Sequence, residues 1–301
     1  KMNIRRLFYF NITFKCNNNC KYCCSHNTRE RNIANVEIDY IEKVHAEYRI
    51  SSDDYIIITG GEPTLSPHFL KIIHYLSALT THIILYTNGR LLWKYNLTQL
   101  NKFERIIIPI YGNKEIHNEY IGIAHGYEDT IKSIKYINTF NPNKIEIKLV
   151  IDNNESLKSI IDSEDLSIIT MSNNISVNRL IKLKENLSNY IPNSAFIQQV
   201  EKVILSLYEQ GKSVKFYDWP LCYFSDTFKD MIMSNYDGQS DLMFNIINCP
   251  ANRKPYRVNF DGQTNIYTRC KKCVLIKFCS QIMQRYYCPV LKNNKIIIGV
   301  E

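Results

Sequence analysis

The sequence has no long hydrophobic run. Its longest apolar stretches, such as 55–58 and 106–110, are strand-sized, while a membrane-spanning helix needs roughly 20 apolar residues. No membrane partner is expected. No segment near Lys1 joins a basic start, an apolar core and a small-residue cleavage site; with no export signal, a cytoplasmic setting is expected. Basic residues outnumber acidic ones, 37 to 29, but form no block, so nucleic acid is not an expected partner. Low-complexity tracts and internal repeats are also lacking. The hydrophobic share of 45% and charged share of 22% exclude disordered and collagen-like chains. A chain of 301 residues can bury a large core in one domain and carry an appendage.

Cysteine is absent from the 197 residues between Cys24 and Cys222, yet the chain holds ten: four from Cys16 to Cys24 and six from Cys222 to Cys288. Without an export signal, disulfides would not persist, and metal ligation is the economical use of so many thiols.

From residue 7 to about 182, apolar strand-sized runs alternate with amphipathic segments, the pattern of βα units and a parallel sheet. Strands are predicted over 7–14, 54–59, 82–86, 105–110, 144–151 and 175–181. Helices are predicted over 36–50, 67–79, 93–101, 127–138, 155–162 and 194–210, with Ser66 and Pro67 as a helix start and Gly211 as a stop. Six such units form a partial (β/α)6 TIM-like barrel, with functional residues at the carboxyl ends of its strands; a doubly wound open sheet is the alternative. After Asp218 the segments shorten and become rich in Asn, Tyr and Cys, with Asp261-Gly262 as a hairpin signal. The expected domains are therefore 1–217, the barrel, and 218–301, a small cysteine-rich appendage.

Directly after the first predicted strand stand Cys16, Cys20 and Cys23, spaced C-x3-C-x2-C. A structural zinc site wants four protein ligands, and the side chain of the adjacent Cys24 is expected to point away from that of Cys23. Three thiolates suit a cubane in which one iron is left open to a small molecule. The second strand ends in Gly60-Gly61-Glu62-Pro63, where glycine permits close backbone approach and Glu62 can accept from a ligand ammonium group. The third ends in Thr87-Asn88-Gly89. Either could be a plain turn alone; together with the cysteines they mark one mouth.

These residues resemble the radical S-adenosylmethionine (SAM) superfamily, over about 7–182. The resemblance implies a [4Fe-4S] cluster on Cys16, Cys20 and Cys23, with the SAM amine and carboxylate on the fourth iron. It also implies that the Gly60, Gly61, Glu62 and Pro63 segment receives the methionyl ammonium, that Tyr22 flanks the adenine and that Asn88 reaches the ribose. Lys148 could approach the SAM carboxylate, or be a solvated lysine on an alternating strand. One electron from an external reductant of flavodoxin or ferredoxin type would break the sulfonium C–S bond, and the resulting 5′-deoxyadenosyl radical would take a substrate hydrogen. The family's usual polar residue on the fourth strand is missing from Ile108-Pro109-Ile110-Tyr111.

Cys270, Cys273 and Cys279 form a C-x2-C-x5-C run, similar to the auxiliary-cluster region, SPASM or its shorter form twitch, that ends many of these enzymes. The segment before Cys222 resembles the Pro-x-Cys of peptide-modifying maturases, as does Ile108 to Gly112 with His117. One auxiliary [4Fe-4S] cluster on Cys222, Cys270, Cys273 and Cys279 is expected. Tyr267 and Met283 stand where the two-cluster pattern places cysteines. Cys249 and Cys288 compete with Cys222 for the fourth site, and whichever of the three is not a ligand is a candidate hydrogen donor to a substrate radical or an inert buried thiol.

Three functions follow: modification of a ribosomally made peptide by crosslinking, thioether formation or epimerisation; dehydrogenation or epimerisation of a small alcohol or sugar; or, from another class, a zinc-stabilised RNA-binding module. Because the first strand begins within ten residues, leader recognition is expected from a separate protein.

Overall fold

The computed structural model describes residues 4–23, 35–161, 169, 171–180, 194–217, 219, 221, 224–234, 243–250, 254–257, 287–292 and 295–300. Cys24, Cys222, Cys270, Cys273, Cys279, the Asp261-Gly262 turn, Tyr267 and Met283 lie outside the described residues. The chain divides into two compact units: Lys1–Pro109 with Lys114–Glu146 and Met243–Val258, and Ile110–Asn113 with Ile147–Leu242 and Asn259–Glu301.

The first unit holds β1 (Ile4–Thr13), α1 (Ile38–Tyr48), β2 (Tyr55–Gly60), α2 (Phe69–Ser77), β3 (Ile83–Tyr86), α3 (Leu97–Leu100), β4 (Arg105–Ile110), α4 (Lys114–Ile121) and α5 (Gly126–Asn138). β1 pairs in parallel with β2, β2 with β3 and β3 with β4, through registers such as Phe10 with Ile58, Ile57 with Ile84 and Leu85 with Ile106. Successive residues Ile56, Ile57 and Ile58 are all buried, as parallel strands covered on both faces require. Each buried isoleucine contributes about 1.5–3 kcal/mol relative to exposure. In α1, Ile38, Ile41 and Val44 form the buried stripe, and the helix ends where Arg49 turns left-handed and donates its N–H to the His45 carbonyl. Asp54, just before β2, accepts from Arg6 Nε at 2.9 Å and from Ser51 N at 2.7 Å, anchoring the entry of that strand.

Two predicted helices begin or run differently. α2 starts at Phe69 because Pro63–Leu65 forms its own 3-10 turn, and Ser66 Oγ accepts from His68 N at 3.3 Å. The segment over 93–101 is split: Leu92–Lys94 is a 3-10 turn and Asn96 opens α3 with a reciprocal capping box to Gln99. α4 was not predicted; it is short and buries only His117, Tyr120 and Ile121, too weak a stripe to stand out in sequence. Strand β8 (Met243–Cys249), also unpredicted, pairs in parallel with the free edge of β1, Phe10 opposite Cys249, and β9 (Tyr256–Arg257) pairs antiparallel with β8.

The second unit contains most of β5 (Ile145–Ile151), then α6 (Asn154–Ile161), β6 (Asn174–Arg179), α7 (Ser194–Glu209), β7 (Ser213–Tyr217) and α8 (Asp226–Ser234). β6 and β7 are parallel, and the hairpin β10 (Tyr287–Lys292) with β11 (Lys295–Val300) adds antiparallel to β7. α7 buries Phe196, Ile197, Val200, Ile204 and Leu207 on one face, the stripe that its periodicity predicts. Its buried Glu201 accepts from Ser225 N and Oγ at 2.8 and 2.5 Å, and Trp219 Nε1 donates to the Val177 carbonyl at 2.9 Å. No described helix is long and apolar enough to cross a membrane.

Candidate functional site

The site is built where β1, β2 and β3 end. After Thr13 the chain leaves β1 as a loop carrying Cys16, Cys20 and Cys23, all half-buried. The end of β2 is bonded to this loop: Gly61 N donates to the Thr13 carbonyl and Glu62 N to the Lys15 carbonyl, each at 2.7 Å. Glycine is required here by chain against chain. A Cβ on Gly60, whose φ is +140°, would lie 2.2 Å from Thr13 O, and one on Gly61 would lie 2.3 Å from Lys15 O. Both distances are inside van der Waals contact with backbone that has nowhere to move.

Glu62 is wholly buried. Its Oε1 accepts from Thr64 N, Thr64 Oγ1 and Thr87 Oγ1 at 3.1, 2.6 and 2.7 Å, and its Oε2 accepts from Asn88 N at 2.8 Å. Burial pushes its carboxyl pKa up, opposed by these donors. The side chain therefore ties the ends of β2 and β3 together, and Pro63, also buried, opens the 3-10 turn that Glu62 caps.

Asn88 and Arg90, after β3, reach the cysteine loop. Asn88 Nδ2 donates to Asn17 Oδ1 at 2.7 Å and stands 4.0 Å from Cys16 Sγ. Arg90 Nη1 donates to the Asn17 carbonyl at 2.7 Å and to Asn18 Oδ1 at 3.1 Å, while Asp129 of α5 accepts from its Nε and Nη2. On the other side, Asn19 N and Lys21 N donate to the Ile121 and Tyr120 carbonyls at 2.8 Å. Gly122, at φ +66°, lets that turn close in: a Cβ there would lie 2.6 Å from Asn19 O. The ring of Tyr22 packs 5.9 Å from that of Tyr120, with Lys21 Nζ 5.8 Å from both. In α4, burial, assisted by the Arg90 charge, lowers the His117 pKa to about 4.

Cys16, Cys20, Cys23, Tyr22, Gly60, Gly61, Glu62, Pro63 and Asn88 all belong to the first unit, and Lys148, half-buried on β5, belongs to the second. Cys249 is fully buried on β8, its Sγ 3.7 Å from the Ile247 carbonyl, and burial followed by the nearby Glu47 carboxylate pushes its thiol pKa up. Cys288 lies on β10. Sequence reasoning missed Asn17, Asn18, Arg90, Asp129 and Gly122; the Asn run between Cys16 and Cys20 was the one local signal.

The donor set fits an iron–sulfur cluster. Three thiols share one short loop, and Asn18 N is 3.5 Å from Cys16 Sγ, the kind of N–H donation that steadies a cluster thiolate. Cys16, Cys20 and Cys23 would hold such a cluster, which supplies a low-potential electron when bound.

A loop carrying three thiols, braced by glycines at the ends of parallel strands, is a candidate metal-cofactor site on an α/β fold. A family model described as the Radical SAM superfamily matches residues 10–166, and the chain belongs to that superfamily, whose enzymes use a [4Fe-4S] cluster and SAM. The chain is 25% identical over 135 residues to the AdoMet-dependent heme synthase of Oleidesulfovibrio alaskensis, covering 44% of this chain and 35% of that protein. It is 27% identical over 132 residues to the antilisterial bacteriocin subtilosin biosynthesis protein AlbA of Bacillus subtilis, covering 42% and 29%. The matches thus span well under half the length of these relatives. Among solved structures, anSMEcpe with bound AdoMet and Kp18Cys peptide aligns with TM-score 0.65 at 15% identity, covering 92% of this chain and 88% of that one. Streptococcus suis SuiB bound to precursor peptide SuiA aligns with TM-score 0.58 at 16% identity, covering 82% and 58%. These likenesses bear out the partial TIM-like α/β fold. Membership of the superfamily sets aside the zinc-stabilised RNA-binding reading.

Proposed function

We propose that this chain cleaves SAM reductively and uses the 5′-deoxyadenosyl radical to take a hydrogen from a ribosomally made peptide, leading to a crosslink, a thioether or an epimerised α-carbon. The observation that carries this reading is the fold shared with two enzymes whose structures hold peptides, anSMEcpe with Kp18Cys and SuiB with SuiA. The match to a subtilosin biosynthesis protein supports it.

In this reading Cys16, Cys20 and Cys23 ligate the cluster. The Gly60 to Pro63 backbone receives the methionyl ammonium, since the Glu62 carboxylate already serves four donors of its own chain. Tyr22, Asn88 and Lys148 are the further SAM contacts. Residues 218–301 form the auxiliary domain, with one [4Fe-4S] cluster on Cys222, Cys270, Cys273 and Cys279. Cys288 and Cys249 are the other candidate ligands or hydrogen donors; the raised pKa of Cys249 keeps it a neutral S–H, which suits donation better than ligation. A cytoplasmic flavodoxin or ferredoxin supplies electrons, and a separate protein binds the leader.

A second reading, action on a small molecule such as an alcohol or sugar, is favoured by the matches to a heme synthase and a GTP 3′,8-cyclase. Anaerobic incubation with SAM, dithionite and peptides encoded beside the gene separates the two. Deuterium appearing in 5′-deoxyadenosine from a labelled peptide is expected. Transfer only from a labelled small molecule would replace the first reading with the second.

A further inference from the structure

We propose that Arg90, held by Asp129, is a positioning residue that shapes the loop between the first two cluster ligands and sets the cluster's reduction potential through its charge. The inference rests on the assignment of Cys16, Cys20 and Cys23 as ligands.

The Arg90 side chain is only 14% exposed, and its guanidinium uses all three nitrogens within the chain. One edge faces Asp129, with Nε and Nη2 at 3.2 and 2.9 Å from Oδ2; Nη1 takes the Asn17 carbonyl and the Asn18 side chain. Meanwhile Arg90 N donates to Asn88 Oδ1 at 3.0 Å, which turns the Asn88 amide toward Asn17 and Cys16. Residues 88 to 90 thus hold Asn17 and Asn18 by backbone and side chain together, and this fixes the Asn18 N–H that points at Cys16 Sγ. A planar fork can make this set of bonds; a lysine ammonium, a single point, cannot.

The charge follows from the same placement. Adding an electron to a cluster makes the site more negative, so a cation bonded to the two residues that follow Cys16 favours the reduced state, the more so because its side chain is largely buried. Asp129 offsets part of that charge from the far side of the guanidinium. Removing Arg90 and neutralising Asp129 must therefore move the potential in opposite directions, although both break the same ion pair.

The test uses the full chain, anaerobically reconstituted, with redox titration followed by electron paramagnetic resonance. The cluster whose reduced signal changes on adding SAM is the one read. Arg90→Gln is expected to lower its potential and, as outer-shell substitutions do at metal sites, to weaken iron retention against a chelator by about tenfold. Asp129→Asn is expected to raise the potential. Arg90→Lys is expected to keep the potential near that of the parent while still losing iron faster. Shifts of the same sign in Arg90→Gln and Asp129→Asn, or no shift in either, overturn the proposal, because a purely mechanical brace loosens alike in both. Should Arg90→Gln not fold, Asp129→Asn decides alone: a raised potential supports the proposal and any other result overturns it. A Cys16→Ala chain that kept the SAM-responsive signal would instead overturn the ligand assignment, whatever the Arg90 variants show.

Discussion

The first unit carries two kinds of cysteine, one paired in register with β1 and three just past its end. Cys249 sits opposite Phe10 within the sheet, sealed from solvent, with its thiol pKa pushed up by burial. Cys16, Cys20 and Cys23 lie just past the end of the same strand β1, on a loop with no regular backbone pairing of its own but with bonds to three other segments. The difference teaches that ligand competence comes from the backbone around the sulfur. A strand buries its side chains by repetition, while a loop can turn several toward one centre, provided that something else holds it.

The sharpest break between the two is substitution. Cys16→Ala is expected to abolish the SAM-responsive cluster and 5′-deoxyadenosine formation, read by resonance and chromatography. Cys249→Ala should retain that cluster; if it does not, the contrast fails.

Acid should undo the loop side first. His117 in α4 is buried with its pKa lowered to about 4 from 6.5, so the folded chain binds fewer protons than the unfolded one. Its contribution is whole above pH 6.5 and is lost as pH falls toward 4, a window worth ~3 kcal/mol at full extent. Urea midpoints against pH should flatten across that window in His117→Gln, and an unchanged profile would contradict the buried neutral imidazole.

Crowding comes next. Gly61→Ala places a Cβ against the Lys15 carbonyl and should cost roughly 1–3 kcal/mol in stability, with faster iron loss than the parent. If it unfolds at the same urea concentration, the close crossing of β2 over the loop is wrong.

The smallest effect is at Cys249 itself. Alanine there removes one buried sulfur, about 1 kcal/mol, and in the apoprotein iodoacetamide should label Cys16, Cys20 and Cys23 natively but Cys249 only on unfolding.

Much of the frame was legible. Strands β1 to β6 were read within a few residues, because isoleucine-rich runs between amphipathic segments announce buried parallel strands. The cysteine spacing and the double glycine are legible too, and the fold adds a second reason for the glycines: they admit the Thr13 and Lys15 carbonyls of the chain itself. Glu62 reads in sequence as an acceptor awaiting a ligand, and in the fold it caps a 3-10 turn and fastens Thr87 and Asn88. β8 escaped because nothing local says that a strand more than 200 residues downstream will lengthen the sheet beside β1.

By itself, then, the order of residues determined the alternation of strands and helices and the spacing of three thiols, since both are periodic, local properties of the chain. Only tertiary structure decided that Arg90 and Asp129 would grip Asn17 and Asn18, that Gly122 would admit Asn19, and that Cys249 would be sealed while its neighbours at the strand end were not. Those outcomes depend on which distant segments meet, and a hydrogen bond or a steric contact exists only once its two partners have been brought within a few ångströms.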